Sequence, residues 1–142
     1  MLMKRLARGA LLDTNVLLRF LLGDDPIQSA RAKSLIMRLQ GQEESAELTD
    51  GVLAETVWVL EKGLDVPRAE IVRYMTTIVS IPGMTYARGK RTLLRALGTY
   101  NATNCDIVDC LLAAQARGRN QKVYTFDTTD FKKLECTWEE PA

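Results

Sequence analysis

Acids stand in this 142-residue chain at places where acids are costly. The apolar run Ala10-Leu11-Leu12 begins after Gly9 and stops at Asp13, and a second run, Lys122 to Phe126, stops at Asp127. Glu55 falls among Val52, Leu53, Val57, Trp58, Val59 and Leu60, and Asp109 is followed at helical spacing by Leu112, Ala113 and Ala116. Asp106 lies one turn before Asp109, and Asp130 follows Asp127 by three residues. An unpaired buried carboxylate escapes its charge by taking a proton, so carboxylates in apolar stripes call for a cation, a donor cluster or an opening to solvent. Each acid alone has a plainer account: Asp13 or Asn15 caps the next helix, Glu55 snorkels from the edge of its stripe, Asp106 complements a helix dipole, and Asp127-Thr128-Thr129-Asp130 is turn chemistry. Together they face one crevice if the two strands are neighbours. Such an oxygen-only set suits Mg²⁺ or Mn²⁺ rather than zinc.

Composition narrows the chemistry further. The chain has no histidine, which removes a Ser-His-Asp triad, a histidine general base and a histidine metal site. Three cysteines, Cys105, Cys110 and Cys136, are an odd number without metal-type spacing and read as reduced thiols. At 46% hydrophobic and 26% charged residues, the chain has the composition of a folded protein and not of a disordered one. Its length is that of one domain, and residues 1–142 are expected to form a single unit. No apolar run is long enough to span a bilayer, and Met1 to Ala7 lacks the apolar segment of a secretion signal, so a cytoplasmic location without membrane contact is expected. The net charge of +1 is uninformative, but its distribution is not: no acid falls between Glu70 and Asp106, where Arg73, Arg88, Lys90, Arg91 and Arg95 lie.

The elements that must position the acids follow from punctuation and periodicity. Ala10 to Leu12, apolar without alternation, predicts the central strand of a parallel sheet covered on both faces, whose carboxyl end is where open α/β sheets build their sites. Val16 to Leu22 is a short helix, apolar nearly all round and stopped by Gly23; Asp24-Asp25-Pro26 starts another, running to Gln40 and ended by Gly41. Glu47 to Thr49 is a second strand, and Asp50 caps a helix through about Lys62 with Gly63 as its stop. Asp65-Val66-Pro67 opens a helix through about Ser80; Met84 to Tyr86 is a weak strand; Gly89 to Leu97 is a basic helix followed by a polar turn to Asn104. Cys105 to Arg117 is a helix closed by Gly118, Lys122 to Phe126 a strand, and Leu134 to Trp138 a last edge strand. Strands separated by helices of this length imply right-handed crossovers: an α/β fold, a three-layer α/β/α sandwich with a short, mainly parallel central sheet.

With these residues in this order, the chain resembles the PIN-domain ribonucleases, and most closely the VapC-type toxins of toxin–antitoxin modules. The resemblance rests on Leu11-Leu12-Asp13-Thr14-Asn15-Val16-Leu17-Leu18-Arg19, Leu53-Ala54-Glu55-Thr56-Val57-Trp58, Asp106-Ile107-Val108-Asp109-Cys110-Leu111-Leu112 and Val123-Tyr124-Thr125-Phe126-Asp127-Thr128-Thr129-Asp130-Phe131. No single motif is specific; four in this order and spacing are. The resemblance implies a Mg²⁺- or Mn²⁺-dependent endoribonuclease acting on RNA. It matches Asp13, Glu55, Asp109 and Asp127 to the family's acidic quartet and Asp106 to a further acid, and it makes Asn15 and Thr125 polar helpers. Asp13, Asp109 and Asp127, joined by Asp106, are expected as metal ligands, directly or through water. Glu55 is expected to orient water, and Asp130 to support the site. Lys90, Arg91 and Arg95 are expected to meet the RNA backbone, since phosphate binding is electrostatic and needs no sequence pattern. The resemblance also implies an antitoxin partner, seated on the helices Val16–Leu22, Pro26–Gln40 and Pro67–Ser80, and a homodimer or toxin–antitoxin hetero-oligomer.

Two other classes compete. Haloacid-dehalogenase-like phosphatases, which are phosphorylated on a strand-end aspartate, want a second aspartate where this chain has Asn15, and response-regulator receivers want an acidic pair at the first strand's end, whereas Asp24-Asp25 lies beyond a helix. A PIN-like RNA- or protein-binding module without turnover is the non-enzymatic alternative.

Overall fold

The computed structural model describes residues 9–142; the readings placed on Met1 to Ala7 lie outside them. In chain order the elements are β1 (Ala10–Leu11), α1 (Thr14–Leu22), α2 (Pro26–Gln40), β2 (Ala46–Glu47), α3 (Asp50–Trp58), α4 (Arg68–Val79), β3 (Met84–Thr85), α5 (Lys90–Ala102), α6 (Ile107–Gly118), β4 (Val123–Tyr124), α7 (Thr128–Phe131) and β5 (Trp138–Glu139). A π-helical turn, Val59–Gly63, continues α3. Strands β1, β2 and β3 form a parallel sheet in that order, with Ala10 opposite Ala46 and Ala46 opposite Met84, and β4 pairs in parallel with β5. The α/β architecture with a short parallel sheet flanked by helices is the one expected.

The position of β1 is not. Among the described residues β1 pairs with β2 alone and is an edge, and Leu11 is 70% exposed while Leu12 is buried. Ala10 is exposed too, so of this run only Leu12 is buried, as an edge position allows. β4 accordingly belongs to a separate two-stranded ladder, and the condition that the two aspartate-bearing strands be neighbours is not met by strand pairing. The expected last strand at Leu134 to Trp138 forms one step later, at Trp138–Glu139.

Local chemistry explains most helix ends. Asp25 accepts a hydrogen bond from the Gln28 backbone N–H at 2.9 Å, and Pro26 takes the first helical position of α2, where its missing N–H costs nothing. Gly23 ends α1 with φ 62°, the left-handed conformation glycine adopts freely. Thr49, and not Asp50, caps α3, its hydroxyl accepting from Val52. Gly83 marks a close approach: an added Cβ would stand 2.5 Å from the Leu39 carbonyl oxygen. α5 runs past Gly98 to Ala102, because Leu93, Ala96, Leu97 and Tyr100 are all buried along one stripe. Gly98 itself has open space around it, so its helix penalty of about 1 kcal/mol is outweighed by that burial.

The core joins α3 to α6 around the fully buried Leu53, Leu60, Ile71, Met75, Leu93 and Tyr100. The helix expected to Lys62 widens into the π turn, closed by the Val66 N–H on the Leu60 carbonyl at 2.9 Å. The inserted residue turns Glu61 toward α4 and α5, where it pairs with Arg68 at 3.5 Å and accepts from the Tyr100 hydroxyl. α1 is less enclosed than its apolar sequence implies: Thr14, Leu17 and Leu18 are buried, but Leu22 is 39% exposed.

Candidate metal centre

Asp109 is an acid of the candidate site whose carboxyl the protein perturbs. It lies in the first turn of α6, half-buried, and loss of solvent raises its carboxyl above the usual value, with the charges of Asp106, Asp127 and Asp130 adding to the effect. Asp127 and Asp130 approach it from the β4–α7 turn, and one carboxylate oxygen from each of the three lies within 4.8 Å of the others. The turn is shaped by its own side chains: the Asp127 N–H donates to the Thr125 hydroxyl at 2.9 Å, and Asp127 Oδ1 accepts from the Asp130 N–H at 3.1 Å. Thr125 therefore holds the loop that presents Asp127. Asp130, expected as a support, is a full member of the cluster; the spacing Asp-Thr-Thr-Asp, which brings two carboxylates to one turn, was its visible signal.

Asp106 is committed elsewhere. Its Oδ1 caps α6 through the Val108 N–H at 2.8 Å, and its Oδ2 accepts from Trp58 Nε1 at 3.1 Å. With both oxygens engaged it stays out of the close set and acts on Asp109 by its charge.

Asp13 and Glu55 also lie outside the close set among the described residues. Asp13 occupies the N-cap position of α1 without making a side-chain capping bond, and it is exposed. Its carboxylate is thus unspent by the fold. Glu55 is exposed as well, which overturns the buried-stripe reading. Leu53, Val57 and Leu60 form the buried side of the segment, and at 3.6 residues per turn position 55 points roughly 200° away from position 53. Glu55 shares its side of α3 with Trp58, three residues on, and Trp58 reaches Asp106. Asn15 is exposed at the start of α1 and lines a groove of about 480 Å³ between α1 and α2, with Arg19, Arg31 and Arg38 along it.

The expected RNA-contacting residues divide. Lys90 donates to the Ile81 carbonyl at 3.0 Å and ties α5 to the chain before β3, while Arg91 and Arg95 are exposed. Gly118, at the end of α6, sits beside Thr92 near the start of α5, so the two helices run antiparallel. Lys90 and Arg91 consequently lie at the end of α6 remote from Asp106 and Asp109.

Among the described residues the close set consists of three carboxylates and includes no thiol, and the chain has no histidine, so it is a hard oxygen site, the donor set of Mg²⁺ or Mn²⁺. Like charges this close repel, and a divalent cation relieves that repulsion, which adds to the burial that raises Asp109. The residues present fit such an ion. A comparison with curated proteins returns no match. The family model described as PIN domain matches residues 10–135, from the start of β1 through the turn that follows α7. The chain belongs to the PIN-domain family, whose members are typically metal-dependent ribonucleases that hold divalent ions with acidic residues.

Proposed function

We propose that this protein is a Mg²⁺- or Mn²⁺-dependent endoribonuclease, with Asp109, Asp127 and Asp130 as the ligand cluster and Asp13 and Glu55 completing the site around substrate. The observation that carries this reading is the oxygen-only cluster with its raised Asp109 inside a PIN domain. A bound divalent ion supplies charge neutralisation at the phosphate and lowers the pKa of coordinated water. The chain supplies everything else. Asp109 stands in the first turn of a helix whose start is capped by Asp106, which fixes its backbone position. Thr125 holds the turn that carries Asp127 and Asp130. Asp13, with no capping bond to break, is free to turn toward the cluster, and Glu55 is exposed and able to accept a proton from water attacking phosphorus. Hydrolysis in that direction leaves a 3′-hydroxyl and a 5′-phosphate.

The finer reading is a toxin restrained by an antitoxin in the cytoplasm, as a homodimer or a hetero-oligomer with that antitoxin. It is supported by the order of the four motifs and by the α1–α2 groove, open beside Asn15. Among the described residues no helix is long and apolar enough to cross a membrane.

The test is cleavage of RNA by the purified chain and by Asp13→Asn and Asp109→Asn variants, with and without Mg²⁺ or Mn²⁺. Metal-dependent cleavage lost in both variants is the expected result. Equal cleavage by all three, or indifference to chelator, would overturn the metal-nuclease reading; RNA binding without cleavage would favour the module without turnover, a reading to which the position of Asp13 and Glu55 outside the close set gives some weight. The toxin reading predicts growth arrest on expression, relieved by a small protein encoded beside this one.

A further inference from the structure

Val108, Leu112, Gln115 and Arg119 are spaced by four, three and four residues along α6 and the residue that caps its end, and therefore lie on one side of it; Val108, Leu112 and Arg119 are exposed and Gln115 is half-buried. These residues border three neighbouring cavities that share lining residues. The first, of about 280 Å³, lies between α3 and α6, with Trp58 at the end near Asp106 and the small residues Gly51 and Ala54 as its floor. The second, of about 380 Å³, shares Leu112 and Gln115 with the first and adds Arg119 and Tyr124. The third, of about 510 Å³, shares Arg88, Gln115 and Arg119 with the second. The groove so formed starts at the residue that holds Asp106 and ends among cations. Val108 to Arg119 spans about 16 Å along the helix, the length of about five stacked nucleotides.

The groove's contents are those that single-stranded nucleic acid needs. Trp58 is 40% exposed and its indole is fixed by the bond to Asp106, so its ring is a rigid surface that loses little freedom on stacking. Tyr124 is 61% exposed, with Lys122 lying over its ring at 4.8 Å. Arg119 makes no side-chain hydrogen bond or ion pair among the described residues. The acid in the groove, Asp50, is already answered by the Tyr86 hydroxyl, by Gln115 Nε2 at 2.5 Å and by Arg88 at 3.8 Å. The carbonyl end of α6 carries a partial negative charge near Arg119, smaller than the full charge of one guanidinium. Apolar ring faces interleaved with cations, reaching at one end Asp106, one turn from Asp109, match a polyanion with stacked bases better than they match an apolar protein helix.

We propose that this groove is the track of the single-stranded RNA flanking the scissile phosphate, with Trp58 stacking a base beside the carboxylates and Arg119 holding backbone phosphate at the far end. The inference rests on the nuclease reading and deepens it. It also moves the RNA contact from Arg91 and Arg95, which line none of the three cavities, to Arg119.

The test is binding of a short fluorescein-labelled single-stranded RNA in chelator, read by anisotropy over a range of salt. Trp58→Ala should weaken binding about tenfold and Trp58→Phe much less, as loss and retention of a stacking ring predict. Arg119→Ala, which removes no contact the fold uses, should reduce the slope of log affinity against log salt by about one, whereas Arg91→Ala and Arg95→Ala should leave it unchanged. If wild type binds RNA and the Trp58 and Arg119 variants bind equally well, the track is wrong and the nuclease reading stands. A larger effect from Arg91 or Arg95, or a change of oligomeric state in the Trp58 and Arg119 variants with RNA affinity intact, also overturns it. Wild type that binds no RNA overturns both.

Discussion

The Nη1 of Arg68, on α4, donates to the Cys105 carbonyl at 2.7 Å, immediately before the residue that caps the helix of Asp109. The same nitrogen reaches the Tyr100 and Thr103 carbonyls at 3.0 and 3.3 Å, and the guanidinium lies over the Tyr100 ring, 4.0 Å from its centre. One cation thus closes the C-terminal end of α5, where carbonyls have no helical partners, and fixes the connection that delivers Asp106. Arg68→Met should cost about 2–4 kcal/mol, a fall in Tm of roughly 10 °C by calorimetry, since it leaves those carbonyls without a donor and Glu61 without its cation. Arg68→Lys should recover part of that loss, because an ammonium replaces the charge but not the fork of donors.

Asp13 and Asp106 both stand at helix N-caps, yet only Asp106 makes the capping bond. Asp106→Ala should therefore destabilise the protein by about 1–2 kcal/mol, losing the Val108 N–H and the Trp58 indole as partners. Asp13→Ala should change stability by no more than about 0.5 kcal/mol. If Asp13 serves the reaction, activity reverses that order, with Asp13→Ala the more damaging. Urea unfolding beside RNA cleavage checks both halves; equal stability losses would mean that Asp13 caps α1 after all.

Burial of Asp109, with charge repulsion from its acidic neighbours adding to it, gives a pH dependence with a definite sign. Burial raises the Asp109 carboxyl above its ordinary value of 3.8, so the folded protein binds more protons than the unfolded chain between that value and the raised one. The contribution of this group to stability is complete below the unfolded value and is lost as pH rises through the folded one. In chelator at neutral pH, Asp109→Asn should equal or exceed wild type in Tm by a few degrees at most, about 1 kcal/mol or less, and the difference should vanish toward pH 4. Added Mg²⁺ or Mn²⁺ should reverse the order, raising wild type by about 2.7 kcal/mol at a hundredfold excess over Kd and leaving Asp109→Asn where it was. A metal response in Asp109→Asn equal to that of wild type would place the ion elsewhere.

These relations differ in how far the sequence discloses them. The limits of α2 are legible residue by residue, because Asp25-Pro26 and Gly41 act within one turn of the chain. The exposure of Glu55 is not, since the apolar residues around it serve two sides of the helix and only the packing of α3 against its neighbours decides which side is buried. The π turn depends on Glu61 meeting Arg68 and Tyr100, residues on two other helices, and no local pattern announces it. Strand order is equally non-local: the Ala10–Leu12 run carries no mark of whether its second neighbour is β4 or solvent. The cost of a buried acid points to Asp109 alone, since Asp13, Glu55 and Asp127 are exposed, and the place of Asp130 rather than Asp106 in the close set turned on which carboxylate the caps had already engaged.

The three cysteines supply a check on burial that is independent of any activity. Cys105 and Cys110 are buried, and burial pushes the Cys110 thiol up to about 12, far from the range in which a thiolate forms. Cys136 is half-buried, near the outer ladder of β4 and β5, and its thiol is raised by burial as well. Attack on a disulfide reagent requires thiolate and access together, so the native protein at pH 8 should titrate one thiol, slowly, and all three only after unfolding in guanidinium. Cys136→Ser should abolish the native reaction while leaving the melting temperature within about 2 °C. Rapid reaction of a second thiol in the native state would mean that the connection held by Arg68 opens readily, and Arg68→Met should then accelerate that reaction further.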